Sequence, residues 1–157
     1  MNATVSSAGI GSVTAEEERN RQAVCKLIEA WNAGEVATLA SMWEARMVHH
    51  GRESEPTSAV DTAAEMQRFL AAFPDLRMEL ESVIAEGDMV ATRIQMHATH
   101  LGSFLDAEPT GRTVSCRLMG QLRFVDGRVV EHWGVADGLQ LLTQIGLLPE
   151  RFLAATA

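Results

Sequence analysis

Asp126-Gly127 sits between two β-prone runs, Leu122-Arg123-Phe124-Val125 and Arg128-Val129-Val130-Glu131-His132-Trp133. Both turn residues accept the positive φ of a two-residue hairpin, which commits the flanking runs to antiparallel pairing. Asp137 then precedes Leu139, Leu141, Leu142 and Ile145, with Gln140 three positions on. That is the spacing of a capping box opening a short amphipathic helix, which Gly146 and Pro149 end. Strand, turn, strand and closing helix, from Leu122 to Phe152, form the unit around which the rest of the chain is built.

Upstream, the apolar period is first helical and then becomes two. Thr14 and Glu17 form a second capping box, and Val24, Leu27, Ile28 and Trp31 repeat at helical spacing until Gly34 stops the helix. Val36, Leu39, Ala40 and Trp43 keep that period in a second helix. Met47-Val48-His49-His50 is a short β-compatible run before a polar loop from Gly51 to Ser58. A third helix is expected from about Asp61 to Phe73, burying Met66, Phe69, Leu70 and Phe73 and halted by Pro74. Beyond it Leu76, Met78 and Leu80 alternate with charged residues, and Glu86-Gly87-Asp88 turns the chain into a strand from Met89 to His100. Gly102 to Arg112 reads as a loop. In the next strand Val114, Cys116, Leu118, Gly120, Leu122 and Phe124 share one face. Helices, then a long antiparallel meander, then a final helix predict an α+β fold with helices packed on one face of a curved sheet. Residues 1–13 are expected to be a frayed tail, and 14–157 a single domain.

With 157 residues, such a domain buries roughly 70% of the surface its unfolded chain exposes. Thirteen basic against twenty-one acidic residues give a net charge of -8, and without a Lys/Arg cluster nucleic acid is not expected as a partner. Cys25 and Cys116 fall in a predicted helix and a predicted strand, which reads as two buried reduced thiols. Neither a signal peptide nor a membrane-length apolar run stands out, so a soluble cytoplasmic protein with no membrane partner is expected.

Five stretches carry a likeness: Ala30-Trp31-Asn32-Ala33-Gly34, Ala72-Phe73-Pro74-Asp75-Leu76, Thr99-His100-Leu101-Gly102, Pro109-Thr110-Gly111-Arg112 and Phe124 through Trp133. In consistent order over about residues 15 to 148, they resemble the SnoaL-like polyketide cyclases of the nuclear-transport-factor-two-like superfamily. The resemblance implies a cone-shaped α+β barrel with a curved antiparallel or mixed sheet packed against N-terminal helices and a short C-terminal helix, a cavity for a hydrophobic aromatic small molecule, and a homodimer or homotetramer formed through the sheet. It also implies ring closure by an aspartate on the last strand, with no metal or organic cofactor. That position is Gly134 here, and a second polar cavity position of the ring-closing members falls on Gly120. Glycine can neither give nor take a side-chain proton.

His132 shares strand parity with Gly134, so it faces the cavity if that position does; it is an acid/base candidate or a bonded core histidine. His100 lies on the apolar parity of its strand, where it either meets a substrate oxygen or fixes the following loop. Asp137 is the nearest remaining carboxylate, with helix capping as the competing role. His49 and His50 must point to opposite faces, with His49 preferred for the cavity. Trp31, Trp43 and Phe73 are candidates for stacking on a flat ligand or are core, and Cys116, Leu118, Gly120 and Gly134 are candidate wall positions. His97 reads as surface. No two histidines share ligand spacing within one element, so a metal is not expected. Three functions compete: cofactor-independent cyclisation of an aromatic polyketide or similar polycyclic intermediate, a tailoring hydroxylation with a partner reductase, and non-catalytic carriage of a hydrophobic ligand.

Overall fold

The computed structural model describes residues 13–51 and 54–151. The predicted tail therefore lies, but for Val13, outside the described residues. Helix α1 (Ala15–Ala33) opens on a complete capping box: Thr14 Oγ1 accepts from Glu17 N–H at 3.1 Å, and Glu17 Oε2 accepts from Thr14 N–H at 2.8 Å. It ends on Gly34, whose φ of 70° is the left-handed conformation that glycine enters without a Cβ penalty. Helix α2 (Val36–Ser41) is short, and Trp43 is the first residue of β1 (Trp43–His50), not the last of a helix. The helical period failed there because the first inward strand position coincides with the next helical one; either way Trp43 is buried.

Strand β2 (Thr57–Ser58) occupies the end of the expected polar loop and leads into α3 (Ala59–Ala72), capped by the Ser58 hydroxyl. Then follow β3 (Arg77–Glu86), β4 (Met89–Thr99), β5 (Thr113–Val125), β6 (Arg128–Ala136) and α4 (Gly138–Gln144). Asp126 and Gly127 hold φ of 50° and 75° between the paired residues Val125 and Arg128, the backbone of the expected hairpin.

The strands form one curved mixed sheet in the order β2-β1-β6-β5-β4-β3. The chain from β3 to β6 is the expected antiparallel meander, whereas β1 lies parallel to β6. Helix α1 covers β3 and β4, α3 covers β1, and α4 covers β5. One core cluster joins Val24, Leu27 and Leu39 to Met47, Val90, Leu122, Phe124 and Val129. A second joins Phe73, Leu76, Met78, Met96, Val114 and Cys116 to Leu141 and Ile145. Leu39, Met47, Val90 and Val129 are each at most 1% exposed, so each contributes roughly 1.5–3 kcal/mol.

Between the clusters the inward face opens. Ile94, Leu118, Gly120, His132 and Gly134 keep accessible surface, although Met96, Cys116 and Leu122 beside them are buried. Trp31 and Leu70 pack against both clusters and so span this gap from the helical side. One cysteine departs from expectation: Cys116 is buried, but Cys25 is exposed, because α1 turns Val24 and Leu27 to the sheet and Cys25 away from it.

Candidate active site

The parallel pairing of β1 with β6 sets His49 beside His132, and their Nδ1 atoms lie 3.0 Å apart. A neutral imidazole carries one N–H, so one ring donates and the other accepts. His49 is thereby the inward member of the adjacent pair. His50 points outward, stacks on Trp133 at 5.1 Å and meets Glu131 Oε1 at 2.9 Å. His132 is half-buried: Nε2 has no hydrogen-bond partner among the described residues, and protein encloses the ring closely enough to deny a cation its hydration. That desolvation, aided by repulsion from a charged His49, pulls its pKa down to about 3. Burial also lowers the His49 pKa, against the pull of the Glu65 carboxylate on α3.

Gly120 and Gly134 are direct partners across β5 and β6, beneath these rings. A Cβ at Gly120 would lie 3.2 Å from Thr92 Oγ1, 3.2 Å from the Trp133 carbonyl and 3.3 Å from His132 Nε2. A Cβ at Gly134 would lie 3.3 Å from His49 Cε1 and 3.6 Å from His132 Nε2. Both glycines serve close approach rather than unusual backbone: they let the imidazoles lie down on the sheet. Thr92 borders the same floor, its hydroxyl donating to the Gly120 carbonyl at 3.3 Å. Reading the sequence passed over Thr92, although a hydroxyl among the inward residues Val90, Ile94, Met96 and Ala98 was a visible irregularity. Glu65 gave no such signal.

The other candidates disperse. His100 is fully buried; Nδ1 accepts from Thr110 N–H at 3.3 Å and lies 3.1 Å from the Thr110 hydroxyl, which ties down the loop before β5. Its Nε2 has no partner among the described residues, and the ring is packed with Phe73 and Phe104, away from accessible space. This is the loop-fixing role, and the alternative of meeting a substrate oxygen is corrected, because the ring lies in the core. Asp137 is exposed and accepts from Gln140 N–H at 3.0 Å, the capping role. Trp43, Phe73 and Cys116 are core, with 8%, 0% and 1% of their surface exposed, and offer a ligand no face. Leu118 and Trp31 retain accessible surface along the gap, and His97 is exposed on the outer face. A shallow groove beside Asp75, Arg77, His97 and Gln144 lies near the far ends of β4 and β5 and contains none of the candidates. No group of three or more His, Cys, Asp and Glu among the described residues is placed to hold a metal.

The family model of the SnoaL-like polyketide cyclases matches residues 21–145. The chain belongs to the SnoaL-like polyketide cyclase family. Its relatives include aklanonic acid methyl ester cyclase AcmA of Streptomyces galilaeus, 27% identical over 79% of this chain and 88% of that one. Among solved structures, AclR of Streptomyces galilaeus, described as a candidate hydroxylase, superposes with a TM-score of 0.80 at 40% identity, covering 85% of this chain and 99% of AclR. IdmH of Streptomyces antibioticus, a candidate polyketide cyclase, does so with 0.74 at 29%, covering 81% and 98%. In this cyclase-family protein the two positions where the resemblance placed polar chemistry are the glycine floor, and two imidazoles lie over it.

Proposed function

We propose that this protein binds an aromatic polyketide intermediate in the gap between its two cores and closes a ring by proton transfer at His132. The single observation that carries the reading is the placement of His132, a half-buried ring whose Nε2 lies over the floor formed by Gly120 and Gly134 and has no hydrogen-bond partner among the described residues. A strongly desolvated imidazole is a weak base, so the carbon it deprotonates must already be acidic. A CH₂ between two carbonyls, the repeating feature of a polyketide chain, fits that demand. Trp31 and Leu118 offer apolar surface to the flat rings.

The outer face supports self-association. Met119 and Val135 are paired neighbours, 62% and 74% exposed, which suits a homodimer or homotetramer joined through the sheet. No helix among the described residues is long and apolar enough to cross a membrane, which is consistent with a cytoplasmic enzyme.

A second reading has its own observation. AclR, at 40% identity, is described as a candidate hydroxylase, and Gly134 supplies no carboxylate, so a tailoring oxygenation with a partner reductase competes. Incubation with aklanonic acid methyl ester, with and without a reductase and nicotinamide, separates the two by mass spectrometry. Ring closure gives a product of unchanged mass and new retention without reductant. A product one oxygen heavier, formed only with reductant, replaces the first reading by the second. Turnover unchanged in His132→Asn removes His132 from either.

A further inference from the structure

The Nδ1–Nδ1 contact resolves a difficulty that the reading above leaves. An isolated His132, enclosed and beside a second ring that turns cationic in acid, holds a proton poorly. We propose that His49 and His132 act as one proton relay, in which a proton taken up at His132 Nε2 is matched by transfer of the His132 Nδ1 proton to His49 Nδ1. The inference rests on the assignment of proton transfer to His132 and extends it to His49, which acts through His132 as a positioning residue rather than by touching substrate.

The geometry supports each step. At 3.0 Å the shared hydrogen bond is short enough for the proton to change owner with little movement of either ring. The charged groups around His49 act in opposite senses: Glu65 on α3 favours a cation there, and His50, the next residue on β1, disfavours one. For His132 a charged His49 is the unfavourable neighbour, and no carboxylate among the described residues offsets it. Positive charge is therefore better placed on His49 than on His132.

In ring closure the bookkeeping is complete without a co-reactant. The C–H bond between two carbonyls breaks, its proton goes to His132 Nε2, and His132 Nδ1–H passes to His49. The carbanion pair forms the new C–C bond at a second carbonyl of the same molecule. The resulting alkoxide takes the proton back from Nε2, and His49 returns its proton to His132 Nδ1.

The test pairs a substrate-free measurement with kinetics. In uniformly ¹⁵N-labelled protein the relay requires a trans-hydrogen-bond ¹⁵N–¹⁵N coupling between the two Nδ1 atoms, and its absence at neutral pH overturns the relay whatever the turnover. With aklanonic acid methyl ester as probe, His49→Asn is the informative variant. Asparagine offers an oxygen or an N–H near the former Nδ1 position, so it keeps His132 oriented but cannot accept the proton. A loss of about a hundredfold in kcat, with the acid limb of the pH profile displaced, is the expected result. If His49→Asn stays within threefold of the parent while His132→Asn is inactive, the relay falls and the His132 assignment survives. If His132→Asn also keeps turnover, the assignment itself falls, and the relay with it.

Discussion

The enclosure of His132 makes a quantitative prediction about acid stability. In the unfolded chain its imidazole titrates near the ordinary value of 6.5, whereas burial in the fold lowers the pKa to about 3. Between those two values the unfolded state holds one proton that the folded state refuses. Stability is therefore full above pH 6.5 and falls as the pH drops, at about 1.4 kcal/mol per unit. By about pH 4.5 the loss assigned to His132 is roughly 3 kcal/mol. His49, whose pKa is lowered in the same direction, adds to it. Glu17 and Asp75 have lowered carboxyl pKa values and so also lose stability in acid, but both lie far from the pair and cancel in a comparison of variants. The perturbation is His132→Asn, which retains a hydrogen-bonding group toward His49 and cannot be protonated. Urea unfolding followed by the emission of Trp31, Trp43 and Trp133 between about pH 7.5 and 4.5, at fixed protein concentration, gives both stability curves. The parent should lose roughly 3 kcal/mol more than the variant over that range, whatever their offset at neutral pH. Parallel curves would refute the reasoning: His132 would then be charging as easily in the fold as in the unfolded chain.

Three further outcomes follow from the same contacts. Gly134→Asp places a carboxylate against His49 and His132, so both imidazole pKa values should rise by NMR titration; a gain in ring closure over an inactive parent would show that the missing carboxylate limits the chemistry, and an already active parent would show that it does not. Gly120→Ala puts a methyl within 3.2–3.3 Å of Thr92, the Trp133 carbonyl and His132, and overpacking of this kind costs about 1–3 kcal/mol, read by urea unfolding, with a displaced His132 resonance. Asp137→Ala removes the cap of α4, lowering stability by about 1 kcal/mol while turnover per folded molecule stays at the parent level.

Much of the architecture is local in origin and was therefore legible. The Thr14–Glu17 box, Gly34 in its left-handed conformation, the Asp126-Gly127 turn and the alternation along β5 are each decided by residues a few positions apart. Where two local patterns share a spacing, as at Trp43, the strand took a residue that had been read as helix. The exposure of Cys25 was legible in principle, since Val24 and Leu27 already define the buried stripe of α1 and leave Cys25 off it.

The site is another matter, because its central contact joins residues 83 positions apart. Strand parity could say that His49 or His50, not both, faces inward, and that His132 shares a face with Gly134. It could not say that β1 would run parallel to β6 with His49 opposite His132, since that register follows from the placement of β1 at the edge of the meander. The same limit explains the argument against a metal from spacing within single elements: it was blind to pairs formed across strands, where the two inward histidines do meet. Gly120 and Gly134, read one at a time, were losses of polar side chains. As partners across β5 and β6 they let the imidazoles lie close on the sheet surface, where a Cβ at either position would come within 3.2–3.3 Å of a neighbouring atom.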